Sequence, residues 1–230
     1  MPNNNNRETS AADTAALREE LERLSRRERR GYRCAKRIFD ILFSAAALLC
    51  LSSVLLFLAV LIFLDDPHGS PIYVQTRIGR DGKPFRLYKF RSMVVNADRM
   101  RPDLWEKNEA AGPVFKIRDD PRVTRIGKFI RRTSIDELPQ FLNVLRGDMS
   151  VVGPRPALPD EVERYSDYHR LRLLVTPGLT CIWQTCDHRN DIAFDAWVEM
   201  DIRYIRERNF PLDLKLVFRT VKVMFTGEGI

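Results

Sequence analysis

The run Arg131-Arg132-Thr133-Ser134-Ile135-Asp136-Glu137-Leu138-Pro139 sets two adjacent carboxylates a few residues beyond two guanidinium groups. Ser134 and Glu137 have capping-box spacing, and Pro139 suits only a first helical turn, so a helix is expected to begin between positions 135 and 138. Asp136 and Glu137 would then stand at the positive end of a helix dipole, where phosphate also binds well. Such a pair can hold a hard divalent cation, and a carboxylate can attack phosphorus. Spacing alone leaves a third reading open, in which both acids only cap the helix.

Val151-Val152-Gly153-Pro154-Arg155-Pro156 adds a guanidinium on a backbone stiffened by proline on both sides. Rigid presentation suits bidentate phosphate recognition, and a solvated surface turn is the alternative. Tyr88-Lys89-Phe90-Arg91-Ser92-Met93 places cations among aromatic rings, as either nucleotide contacts or an interfacial strand would require. Cys181, Cys186 and His188 match no common zinc spacing and lack a fourth ligand, so zinc is not expected. With no P-loop, dinucleotide fingerprint or Ser-His-Asp motif in the chain, any nucleophile should be a carboxylate.

The elements that must position these groups fall into three parts. Residues 1–35 are polar and basic, and are expected to be disordered or an exposed helix. Seven basic residues lie between positions 26 and 37 against one acid, Glu28, which reads as an anchor for acidic lipid. Residues 41–64 then carry no charge, and as a helix would be roughly 36 Å long, enough to cross a hydrocarbon core of about 30 Å. Both flanks are basic, and both therefore favour the cytoplasmic side. One crossing cannot satisfy them, whereas a helix that enters, bends near Ser52 and Ser53 and returns can. Residues 36–72 are read as this membrane segment and its link. Residues 73–230 form the third part, with helical patterns at 126–132, 138–146, 161–174, 194–208 and 212–225. Strand signals at 72–75 and 85–88 flank the turn Arg80-Asp81-Gly82-Lys83. In the last helix Leu214, Val217, Phe218, Val221 and Phe225 share a face, which suits either the lipid interface or a core. The expected fold is mainly α with a few short strands, a re-entrant membrane helix, interfacial amphipathic helices and a compact catalytic domain.

Composition narrows the functional classes. At 44% hydrophobic and 30% charged, the 230 residues are neither a disordered chain nor a fibrous repeat. Four scattered cysteines build no disulfide scaffold and fit a reducing compartment. A net charge of +7 asks for an anionic partner: phosphate, acidic lipid or nucleic acid.

Taken in order, Lys36-Arg37-Ile38-Phe39-Asp40, residues 88–93, 133–140, 145–150 and 152–156, Pro177-Gly178-Leu179-Thr180 and Trp183-Gln184 resemble the bacterial polyprenyl-phosphate hexose-1-phosphate transferases, the small monotopic phosphoglycosyl transferases. The resemblance covers roughly residues 36–228. It implies a nucleotide-diphospho-sugar donor, a polyprenyl phosphate acceptor, membrane lipid around the anchor, no nucleic acid, and room for a homodimer. It also implies an inner-membrane location with the catalytic domain facing the cytoplasm. Asp136 would be a covalent nucleophile in a ping-pong scheme, and Glu137, with Asp136, would place Mg²⁺. Lys89, Arg91, Arg131, Arg155, Gln184 and Arg189 would bind phosphate or donor, while Lys36, Arg37, Asp40, Ser52 and Ser53 would serve the membrane segment. Two departures stand out. Ser53 replaces the proline of the usual Ser-Pro break, which bears on the sharpness of the bend. The stretch 181–191 is one residue longer than in relatives, so donor specificity is expected to differ there, and Cys186 is expected to tolerate Ser. The competing class is a membrane-anchored basic binding module without catalysis.

Overall fold

The uncharged run does not form one straight rod. In the computed structural model, which describes residues 10–27, 30–109, 112–115, 117, 119–186 and 192–226, α1 (Ala11–Arg27) is followed by α2 (Arg30–Cys50) and α3 (Ser52–Asp65). The axes of α2 and α3 meet at 62° across Leu51. Among the described residues no single helix is long and apolar enough to cross a membrane. The 14 residues of α3 span only roughly 21 Å. The bend falls where the serine pair predicts it, without proline. Ser52 Oγ donates back to Leu49 O (2.8 Å), a carbonyl that a continuing helix would have claimed.

Past the break, α3 is apolar all round. Leu58 and Ile62 are buried against Phe90 and Ile130, while Leu56, Phe57 and Leu64 stay largely exposed. Beyond α3 the chain begins a hairpin, β1 (Ile72–Ile78) and β2 (Pro84–Phe90), in antiparallel register that opposes Tyr73 to Lys89 and Arg77 to Phe85. Asp81, in the left-handed region at φ 57°, makes the expected turn. Next come α4 (Arg125–Arg132), a 3₁₀ turn at Ile135–Gln140, α5 (Phe141–Arg146) and β3 (Ser150–Val152). Then follow α6 (Pro159–Glu163), α7 (Asp167–Arg170), β4 (Gly178–Thr180), α8 (Phe194–Glu207) and α9 (Phe210–Thr226). Strands β3 and β4 pair in parallel. Their backbones approach so closely at Gly153 and Gly178 that a Cβ on Gly178 would meet Gly153 N at 2.0 Å.

Three expectations are corrected. First, the basic stretch before the apolar run does not all face lipid. Lys36 pairs with Asp213 (2.9 Å) and donates to Val152 O (3.0 Å), and Arg37 donates to Val144 O (2.6 Å) and Leu145 O (2.7 Å), carbonyls in the last turn of α5. Asp40, buried, accepts from Val151 N (2.9 Å) and Ser150 Oγ (3.1 Å). These three residues fasten α2 to the catalytic body. Second, α1 is not an isolated exposed helix. Leu21 is fully buried among Leu171, Val198 and Ile202, so its narrow apolar stripe is completed by residues far away in sequence. Third, the helical pattern at 161–174 breaks into α6, α7 and a 3₁₀ turn at Leu171–Leu174, because Ser166 takes extended geometry and caps α7 through His169 N (3.3 Å). In α9, Asp213 and Leu216 face inward while Phe218 is 71% exposed, so the apolar face expected there is divided between core and surface.

Ser53 N–H finds no backbone acceptor, since it sits in the first turn of α3 beyond the break. Proline at that position sacrifices no hydrogen bond and pre-sets φ for a first turn. Ser53→Pro should therefore fold normally in detergent, with a melting temperature equal to or a few degrees above wild type. A clear drop would show that the bend depends on Ser53 itself.

Candidate active site

The carboxylate pair is aimed by a backbone reversal. After α4, Ser134 adopts a left-handed conformation (φ 55°), and the chain re-enters a 3₁₀ turn rather than a continuing helix. Ser134 therefore makes no side-chain cap. The capping box expected from its spacing is absent, and Glu137 instead faces Arg155 (3.5 Å). The 3₁₀ turn packs on β2, which brings Asp136 within electrostatic reach of Lys89, Arg131 and Arg155.

The charges are unevenly matched. Burial, followed by repulsion from Glu137, pushes Asp136 up to about 7 against the pull of Lys89, Arg131 and Arg155. Burial thus outweighs the neighbouring cations. Burial, then repulsion from Arg77, brings Lys89 down to about 8, and burial with repulsion from Arg155 brings Arg77 down to about 10. Arg77, which the sequence reading did not single out, lies on the same face of the hairpin as Lys89, as the register 73↔89 and the period of two along β1 require. A cavity of about 300 Å³ reaches the pair through Lys89 and Arg77, and its wall also includes Tyr73, Gln75, Arg101, Phe115 and Arg122, while neither carboxylate lines it.

Arg155 owes its position to backbone contacts. Its carbonyl accepts from Arg172 Nη2 (3.3 Å), the next carbonyl, Pro156 O, from Arg77 Nη1 (3.0 Å), and Pro154 O from Gly178 N (2.9 Å). Arg172 is itself buried, paired with buried Asp201 (2.6 Å) and donating to Tyr165 Oη (3.0 Å).

Of the other residues expected at the site, Arg91 is placed differently. It lines the cavity but spends its guanidinium on the end of α3, donating to Asp66 O and Ile62 O and facing the Asp66 carboxylate (3.6 Å). It lies one residue past the end of β2, where the alternation that aims Lys89 no longer applies. Gln184 sits on the 3₁₀ turn Trp183–Thr185 and accepts from the Cys181 thiol (3.1 Å), which burial holds strongly protonated. Arg189, with His188, lies outside the described residues.

Asp136 and Glu137 offer hard oxygen donors, and no group of three or more His, Cys, Asp or Glu side chains suited to a metal occurs among the described residues. Two carboxylates with the remaining positions left to water and phosphate oxygens is the usual protein share of a Mg²⁺ site, so the pair fits that ion. A half-buried carboxylate, a neighbouring acid and convergent cations are suited to moving a phosphoryl group.

The profile of a family described as "Bacterial sugar transferase" matches residues 31–227. The chain belongs to the bacterial sugar transferase family. It is 47% identical over 195 residues to the galactosyl transferase CpsE of Streptococcus agalactiae, covering 85% of this chain and 43% of that protein. It is 41% identical over 211 residues to the undecaprenyl-phosphate galactose phosphotransferase of Salmonella typhimurium, covering 87% and 42%. The exopolysaccharide production protein ExoY of Rhizobium meliloti is 40% identical over 202 residues, covering 85% of this chain and 87% of its own length. This bacterial sugar transferase thus spans less than half the length of the first two relatives and aligns with most of ExoY.

Arg172→Met should leave Asp201 as an unpaired buried acid and destabilise the fold by about 3–5 kcal/mol. The double change Arg172→Met with Asp201→Leu removes both charges and should restore most of the melting temperature, yet the Arg155 carbonyl still lacks its donor. Turnover in the double variant is expected to stay at least about tenfold below wild type; full recovery would show that the pair does not position Arg155.

Proposed function

We propose that this chain transfers a sugar 1-phosphate from a UDP-sugar to a membrane polyprenyl phosphate, giving a polyprenyl diphosphosugar and UMP, the first membrane step of glycoconjugate assembly. The observation that carries the reading is the convergence of Lys89, Arg131 and Arg155 on the half-buried Asp136–Glu137 pair. By their names, relatives of this chain act with undecaprenyl phosphate and galactose or with UDP-galactose and a lipid carrier. A basic binding module would spread its cations over an exposed surface; here they gather around two acids beside a cavity.

In the proposed reaction an Asp136 carboxylate oxygen bonds to the sugar-bound phosphorus, and the bond to the bridging diphosphate oxygen breaks, releasing UMP with the electron pair. The polyprenyl phosphate oxygen then attacks the same phosphorus and frees the Asp136 carboxylate. Lys89, Arg131 and Arg155 neutralise the phosphate charge as it shifts, which is the main task in phosphoryl transfer. Mg²⁺ held by Glu137 and Asp136 would supply further charge neutralisation. Anionic donor phosphates arriving beside Asp136 oppose its ionisation, and the pull of Lys89, Arg131 and Arg155 works against that repulsion.

We further propose that α2 and α3 dip into the cytoplasmic leaflet of the bacterial inner membrane and return. Support comes from where their ends are tied. Lys36, Arg37 and Asp40 of α2 are bonded to α5, β3 and α9, and the end of α3 is bonded to Arg91 just after β2. Both ends thus belong to one body on one side, and the large exposed apolar side chains between them, Leu49, Leu56 and Leu64 among them, are suited to lipid.

Asp136→Asn keeps shape and removes charge, so the protein should fold while turnover falls by orders of magnitude. Wild type incubated with UDP-galactose alone should show a phosphosugar adduct in intact-protein mass spectrometry that polyprenyl phosphate discharges. An equal adduct on Asp136→Asn would instead favour direct attack by the acceptor. Glu137→Gln should also lose turnover, recovering in part at raised Mg²⁺. For the topology, single cysteines near the N-terminus and at position 68 in a Cys-free background should both resist a membrane-impermeant reagent applied to intact cells. Labelling of either one from outside would mean that the segment spans.

A further inference from the structure

Arg77 is buried on β1, yet among the described residues no carboxylate oxygen lies within ion-pairing distance of its guanidinium. Its Nε and Nη2 donate to Gln75 Oε1 (3.0 and 2.7 Å) and its Nη1 to Pro156 O (3.0 Å), all neutral acceptors. Buried charges are ordinarily paired, because removing an ion from water is costly without a counter-charge. The surroundings increase the imbalance. Lys89 and Arg155 are both cationic neighbours. The acids in electrostatic reach are Glu137, which faces Arg155, and Glu161, one of whose oxygens accepts from Leu158 N (2.9 Å). Arg77, Lys89, Tyr73 and Gln75 all line the cavity of about 300 Å³. One end of an open cavity is therefore walled by two buried cations that make no direct ion pair among the described residues, an arrangement suited to an anion.

We propose that Arg77 and Lys89 bind the nucleotide-side phosphate of the donor, so that this end of the cavity is the leaving-group site. The assignment rests on the transfer reaction proposed above. There, the phosphorus–oxygen bond to the bridging oxygen breaks as the bond to Asp136 forms, and the departing nucleoside monophosphate carries away the electron pair. Negative charge grows on an oxygen one phosphate beyond the atom under attack. Lys89 interacts with Asp136 and with Arg77, so the two cations follow the diphosphate from the reacting phosphate to the departing one. Gln75 fixes the guanidinium through two donors and leaves its remaining N–H groups for phosphate oxygens, the fork geometry that arginine offers.

The probe is UMP, titrated calorimetrically into the full chain in detergent or nanodiscs. Arg77→Gln should weaken UMP binding about tenfold or more, the loss expected for a charge-assisted contact. Because truncating a buried arginine can unfold the chain, Gln75→Glu gives a second test. It preserves shape, supplies Arg77 with a carboxylate, and should maintain or raise the melting temperature while weakening UMP by a similar factor. A purely structural Arg77 would gain from that carboxylate and leave UMP binding unchanged, so folded Gln75→Glu that binds UMP like wild type overturns the assignment. A wild type that releases UMP from UDP-galactose, alongside variants with undiminished UMP affinity, removes the leaving-group site alone. A wild type that neither binds UMP nor releases it with any UDP-sugar removes the transfer reaction itself.

Discussion

The backbone from Ser150 to Ala157 is the constraint on which the rest of the structure depends. Its polar groups are claimed from several directions at once: Val151 N by Asp40, Val152 O by Lys36 and Tyr204, Gly153 N by Thr180 O, Pro154 O by Gly178 N, Arg155 O by Arg172, Pro156 O by Arg77 and Ala157 O by Ile78 N. The claimants come from α2, β1, β4, the 3₁₀ turn at Leu171–Leu174 and α8. A buried backbone left unpaired in any of these places would cost about 1–3 kcal/mol. The elements therefore have to assemble together, and once assembled they fix Arg155 with little freedom. Gly153 and Gly178 allow the close approach that this pinning needs.

The same pinning concentrates charge. Arg77 and Arg172 are buried because each reaches inward to a carbonyl of this segment, and Arg155 is carried toward Glu137 by the segment itself. Cations that would repel one another in a free chain are held close by contacts made elsewhere, which is the usual form of electrostatic preorganisation. Burial raises Asp136 and lowers Lys89; the crowded cations add to the lowering of Lys89 and oppose the rise of Asp136.

Much of this was legible in the sequence wherever local rules suffice. The break in the apolar run, the hairpin about Asp81 and Gly82 and helices α4, α8 and α9 follow from periodicity and turn chemistry, whereas the grouping of Lys89, Arg131 and Arg155 with Asp136 came from the family resemblance. What escaped depended on partners distant in sequence. Lys36, Arg37 and Asp40 look like interfacial charges because the carbonyls and amides they serve, at Val144, Leu145, Val151 and Val152, leave no compositional trace. Leu21 sits in a stripe too narrow to predict burial, and its pocket is built by Leu171, Val198 and Ile202. Arg91 was grouped with Lys89 by proximity, but one lies on the strand and the other just beyond it. Ser134 has the spacing of a cap and the conformation of a hinge, and spacing alone does not distinguish the two.

Departure from proline at the break is understandable from the way the bent helix is held. A proline enforces a kink locally, by removing a hydrogen bond. Here the bend is also held from outside, since α2 is fixed at Lys36, Arg37 and Asp40 and α3 is fixed at Asp66 by Arg91. With both arms anchored to one body, the 62° angle needs only a serine hydroxyl to satisfy the carbonyl that the break exposes. The anchoring also determines where chemistry takes place. Ile130 of α4 is buried against Leu58 and Ile62 of α3, and three residues, Thr133, the left-handed Ser134 and Ile135, separate the end of α4 from Asp136. In the reaction proposed above, a carboxylate set this close to the helix that packs on α3 meets a lipid-borne phosphate without either group crossing the body, and the cavity wall at Arg77 and Lys89 is left to the water-soluble donor.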